Sequence, residues 1–146
     1  MNNSSSNIYK NARLRSGLKR DPAAEELNID VRTLDKYESL IGNPPQDIVR
    51  KMCDLYNYPY LAWQHIKKTP LGDMLPDLTE DTFQGATLSV VSDINSVNEI
   101  LNEIVQIACD GKVTADERPA WQRSKKKLIK LTSSLLSLLL SEKGGE

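Results

Sequence analysis

Residues 17–44, GLKRDPAAEELNIDVRTLDKYESLIGNP, decide the fold. Within them Ala23, Ala24 and Leu27 give one short helix a small apolar face. Asn28 tolerates the left-handed conformation and suits the end of that helix. Ile29 follows as an apolar plug, and Asp30 is a good N-cap for a second helix. On that second helix Leu34 and Tyr37 face inward and leave Val31, Arg32, Asp35 and Lys36 outside. So short an amphipathic helix is not stable alone, so its neighbours must hold its outer face for another molecule. Pro22 disfavours helix at the residue ahead of it, which predicts a start at Pro22 with Asp21 as cap.

Outward from this stretch the chain reads as all-α, because Val, Ile and Thr never alternate over a strand length. Five short helices fit residues 8–66, separated at Gly17, Asn28, residues 42–45 and Tyr58-Pro59. The Asn/Ser run of residues 1–7 is expected to be a disordered tail and lacks the features of a signal peptide. Residues 67–82, with Pro70, Gly72 and Pro76, read as an irregular connector. Two long helices, about 83–109 and 115–141, are predicted to form an antiparallel hairpin.

The hairpin helices carry heptad seams. Val90, Ile94, Val97, Leu101, Ile104 and Ala108 form one; Trp121, Ser124, Leu128, Leu131, Leu135 and Leu138 form the other. The apolar surface is wider than one seam consumes, so a dimerisation element is expected, in the form of a four-helix bundle. Its candidate contacts are Ile100, Leu101, Leu128, Leu131, Leu135, Leu136 and Leu139. The turn at residues 110–117 is too short for a calcium loop. Thr114 and Glu117 instead read as a capping box, with Gly111 ending the helix before it. The basic run around Lys125, Lys126 and Lys127 reads as a solvated face.

Net charge is −1, but residues 1–68 hold eleven Lys/Arg against eight Asp/Glu, and the remainder eight against twelve. The sign is the one expected if the first half meets phosphate. Cys53 and Cys109 read as buried free thiols of a reducing compartment. No apolar run approaches the roughly 18 residues of a membrane span, so a cytoplasmic protein is expected. With a lone histidine, no phosphate loop, no metal cluster and no nucleophile beside a base, the chain does not read as an enzyme. No cofactor and no small-molecule substrate are expected.

The run of Gly17-Leu18, Ala24, Leu27, Ile29, Leu34 and Glu38 resembles, without a gap, the Cro and phage-repressor (XRE-like) helix-turn-helix regulators of phages and prophages. The resemblance spans residues 8–66 and implies a five-helix domain followed here by the hairpin. It also implies an ion pair between Arg13 and Glu38, and a third helix lying in the major groove of double-stranded DNA. Carried over, Arg32 offers a fork to guanine, Lys36 reaches guanine or phosphate, and Val31 packs on a thymine methyl. Thr33 and Asp35 are secondary base contacts, Asp35 by accepting from cytosine. Arg20, Asn43 and Gln46 take backbone contacts. Asp30 and Asp35 oppose non-specific attraction to phosphate. The expected protein is a homodimeric, sequence-specific transcriptional repressor. The rival is a protein-interaction adaptor or antitoxin-like protein that keeps the fold without binding DNA.

Overall fold

The computed structural model describes residues 7–80 and 82–141, in two compact units that divide between Leu75 and Pro76. Among the described residues there are helices and no strands.

The first unit holds α1 (Ile8–Arg15), α2 (Arg20–Glu26), α3 (Val31–Glu38), α4 (Gln46–Leu55) and α5 (Tyr60–Lys67). Asn7 is a cap, not part of a tail. Its Oδ1 accepts the Lys10 N–H at 2.9 Å, and its Nδ2 donates to the Tyr37 carbonyl at 2.9 Å. The rest of the predicted tail lies outside the described residues. α2 begins at Arg20 with Lys19 as its extended cap residue, two positions earlier than Pro22 suggested. First-turn N–H groups have no intrahelical partner, so Pro22 forfeits no hydrogen bond there. Asp21 then sits inside the first turn, where the helix dipole favours a carboxylate.

Asn28 takes the left-handed conformation at φ 56° and lets the Ile29 N–H reach back to the Ala24 carbonyl at 3.0 Å. Asn57 ends α4 in the same way, at φ 48°. α3 is closed by Leu40, at φ 59°, and not by a glycine. The Ile41 N–H then closes onto the Lys36 carbonyl at 3.0 Å. Tyr9, Ala12, Ala24, Leu27, Leu34, Met52 and Leu61 fill the centre, drawn from all five helices. After α5 the chain turns back tightly at Gly72. A Cβ there would lie 2.1 Å from the Lys67 carbonyl oxygen, so only glycine fits.

The second unit holds α6 (Phe83–Asn98), α7 (Leu101–Ala108) and α8 (Arg118–Ser141). The first hairpin helix is therefore broken, where one continuous helix was expected. The Ile100 N–H bonds the Val97 carbonyl at 3.0 Å in a tightened turn, which frees the Ser96 carbonyl. Lys127 of α8 donates to that carbonyl at 3.2 Å. Asn95, Ser96 and Asn98 are weak helix formers and ease the break.

The seam on α6 also departs from expectation. Its buried residues are Ala86, Val90, Asp93 and Val97, while Ile94 and Leu101 are exposed. The period is the expected one, but Asp93 takes the place given to Ile94. α8 meets it with Ser124 and Ser137 buried. Ile107 is the buried residue of α7, and Cys109 is exposed, against the expectation of two buried thiols. Gly111, at φ 73°, leads into the turn, where the Thr114 N–H and hydroxyl donate to Glu117 at 2.9 and 2.7 Å. No helix among the described residues is long and apolar enough to cross a membrane.

Candidate nucleic-acid interface

α3 is held from both ends. At its start the Asp30 carboxylate accepts the Arg32 N–H at 2.7 Å. At its end Glu38 is buried and gripped by Arg13 of α1. Arg13 Nε donates to Oε1 at 2.6 Å and Nη2 to Oε2 at 2.9 Å, while Nη1 donates to the Leu18 carbonyl at 2.7 Å. The hydrogen bond to Glu38 raises the Arg13 pKa even though burial pulls it down, so the guanidinium stays charged. A fork of this kind sets the position of one helix on another. Beside it the Tyr56 hydroxyl is buried with no hydrogen-bond partner among the described residues. Burial, then the Glu38 charge, push its pKa up to about 12.

A second bridge ties the loop after α3 to α1 and α5. The Tyr9 hydroxyl donates to Asn43 Oδ1 at 3.1 Å and lies 2.9 Å from His65 Nδ1, which donates to it in the Nδ1–H tautomer. Burial, then the nearby Lys68 ammonium, hold the His65 pKa below its ordinary value. His65 is thus a structural link.

On the outer face of α3, Arg32 and Lys36 are exposed one turn apart. Neither side chain has a hydrogen bond or ion pair among the described residues. Val31 is exposed at the leading end, and Thr33 is half-buried between the two faces. Asn43 is exposed with only its oxygen engaged, and Gln46 is exposed as the first residue of α4.

Arg20 and Asp35 are placed differently from what the resemblance implies. Arg20 Nη1 reaches from α2 to Asp35 Oδ1 at 2.8 Å, and its Nε lies 3.4 Å from Glu38 Oε2. The two are partners across the turn in the free protein, with both side chains still partly exposed. Lys19, the cap residue of α2, is exposed beside the same helix start.

The acids of α3 and its cap are therefore all engaged, Asp30 on backbone, Asp35 on Arg20 and Glu38 on Arg13, while its outward cations have no partner among the described residues. No group of three His, Cys, Asp or Glu able to hold a metal occurs among the described residues. In the hairpin, Arg123, Lys127 and Lys130 pair with Glu103, Glu99 and Asp93, which leaves Lys125 and Lys126 as the solvated part of the basic run.

A short helix carried outward by four others, capped by Asp30 and pinned by Arg13–Glu38, defines a helix-turn-helix domain. Residues 10–63 match the model of a helix-turn-helix family, the XRE type of DNA-binding regulator domain. No curated protein and no solved structure matches the chain.

Proposed function

We propose that this protein is a homodimeric transcriptional repressor that occupies an operator, like the phage regulators its first unit resembles. α3 enters the major groove with Val31 and Arg32 leading and Lys36 one turn behind. The observation that carries the reading is the charge arrangement on α3: free cations outward, carboxylates engaged. Arg32 has the planar fork that matches guanine, and Lys36 serves guanine or phosphate. Lys19, Asn43 and Gln46 flank them as backbone contacts, Asn43 through the amide hydrogens that Tyr9 leaves unused.

The dimer belongs to the hairpin. α6 carries one charged residue, Asp93, and residues 131–141 of α8 carry none. Phe83, Val91 and Ile94 of α6 are exposed apolar residues, as are Leu135 and Leu139 of α8. Leu128, Leu131 and Leu136 are half-buried beside them, as is Ile100 at the break, and Leu101 is exposed. A face so poor in charge suits a second copy. Two-fold symmetry would set the reading helices about 34 Å apart, or a multiple of that, on a palindromic site.

Selection of bound sequences from random duplexes by the full protein tests the DNA reading. An enriched palindrome is expected, relaxed at one position per half-site in Arg32→Ala by about 1–3 kcal/mol. Absence of any enriched motif at low salt overturns it and leaves the adaptor, for which the exposed apolar face would be the docking surface.

A further inference from the structure

The second unit contains a groove between α6 and α8 that DNA reading does not use. It has a volume of about 520 Å³, within the range of small-molecule sites. Asp93 lies buried in its floor, with Ser134 Oγ donating to Oδ2 at 2.6 Å and Lys130 Nζ 2.9 Å from Oδ1. Ser89 and Asp77 lie along the rim. Ser137 lines the groove too, and its residue is 8% exposed. Its hydroxyl has no hydrogen-bond partner among the described residues.

Charge decides what fits. The lining holds two carboxylates, Asp77 and Asp93, and one ammonium, Lys130. An anionic ligand would meet the Asp93 carboxylate and compete with it for Lys130; drawing that ammonium away would leave a buried charge unpaired, the arrangement proteins avoid. An incoming ammonium instead takes over the place of Lys130 on Asp93. The Lys130 side chain is 73% exposed and returns to water on its flexible stem. The floor keeps one cation on one carboxylate throughout, and the unused Ser137 hydroxyl gains a partner.

We propose that this groove binds a small hydrophilic primary amine bearing hydroxyl groups, an amino alcohol or amino sugar. Its ammonium sits on Asp93 and its hydroxyls face Ser137 and Ser89. The site is independent of whether α3 reads DNA.

The test is titration of the isotope-labelled full chain with glucosamine and ethanolamine, against glucose and glucuronate, followed by amide chemical shifts. The amines are expected to move the resonances of Ser89, Asp93, Ser134 and Ser137, and the neutral and acidic sugars to leave them in place. Asp93→Asn should weaken binding by about tenfold or more, the loss of a charged hydrogen bond. Lys130→Ala should bind at least as tightly as the parent. Ser89→Leu, at an exposed position on the rim, should block the groove with the helical spectrum unchanged, which covers the case in which Asp93→Asn unfolds the hairpin. Silence of these resonances with both amines overturns the proposal. So does an equal response to glucuronate, or undiminished binding in Asp93→Asn or Ser89→Leu.

Discussion

Leu40 closes α3 in the left-handed conformation, and the residue remains 45% exposed. A branched residue in this region costs roughly 1–2 kcal/mol against the right-handed form, from the approach of Cβ to the following carbonyl. Glycine lacks the clash but carries more freedom in the unfolded chain, worth about 0.4–1 kcal/mol. The residue is about half buried, and the packing it would lose offsets most of that relief, so Leu40→Gly is expected to shift the stability of the first unit by less than about 1 kcal/mol. A denaturant midpoint that falls by more would show that the Leu40 side chain contributes packing which outweighs the strain. Nothing in the sequence marks Leu40 for this role, because the signal for a left-handed cap is Gly or Asn. Asn28 carries that signal and adopts the conformation it implies.

Between elements, the link from α1 to α5 and to the loop after α3 runs through Tyr9, His65 and Asn43. His65 is the only histidine, so pH dependence near neutrality reports on it. Its folded pKa lies below the ordinary value of about 6.5, so the unfolded chain binds the proton more readily. The stabilisation is thus complete above about pH 6.5 and is lost as pH falls from there toward the folded pKa. Thermal midpoints from pH 7.5 to 5.5 should fall in the parent and stay nearly level in His65→Gln. An equal slope in both proteins would place the titrating group elsewhere.

Element existence was legible wherever a local pattern carried it: apolar spacing in α1 to α5 and the Asp30 cap. The start of α8 was not, since it begins at Arg118 and not at residue 115: Pro119 has no N–H to bond the carbonyl of residue 115, and the Thr114 hydroxyl donates to Glu117 instead of capping its N–H. Tertiary pairings were legible only through the resemblance, as for Arg13 with Glu38. Arg20 turning onto Asp35, Lys127 taking the Ser96 carbonyl, and Asp93 sitting in the seam leave no trace in local spacing. A lone acid in a heptad register reads as solvent-facing, and only a lysine and a serine from another helix make it a buried one.

At the scale of the whole molecule, the charge-poor end of the hairpin is the feature that bears on assembly. Leu135→Glu with Leu139→Glu puts two carboxylates onto exposed apolar positions of α8. In the full chain this pair is expected to convert a dimer to a monomer by sedimentation, with helix content retained. A double variant that still sediments as a dimer would move the interface away from α8.

The cap at Asp30 and the fork at Glu38 have a consequence for how tightly such a protein can bind. Both are complete in the free protein, so the backbone of α3 has no ordering left to undergo on contact. What remains to be immobilised is a pair of long side chains, Arg32 and Lys36, at about 0.5–1.5 kcal/mol each. On the proposed DNA reading, preorganisation of the helix thus confines the entropic penalty on α3 itself to its two outward cations.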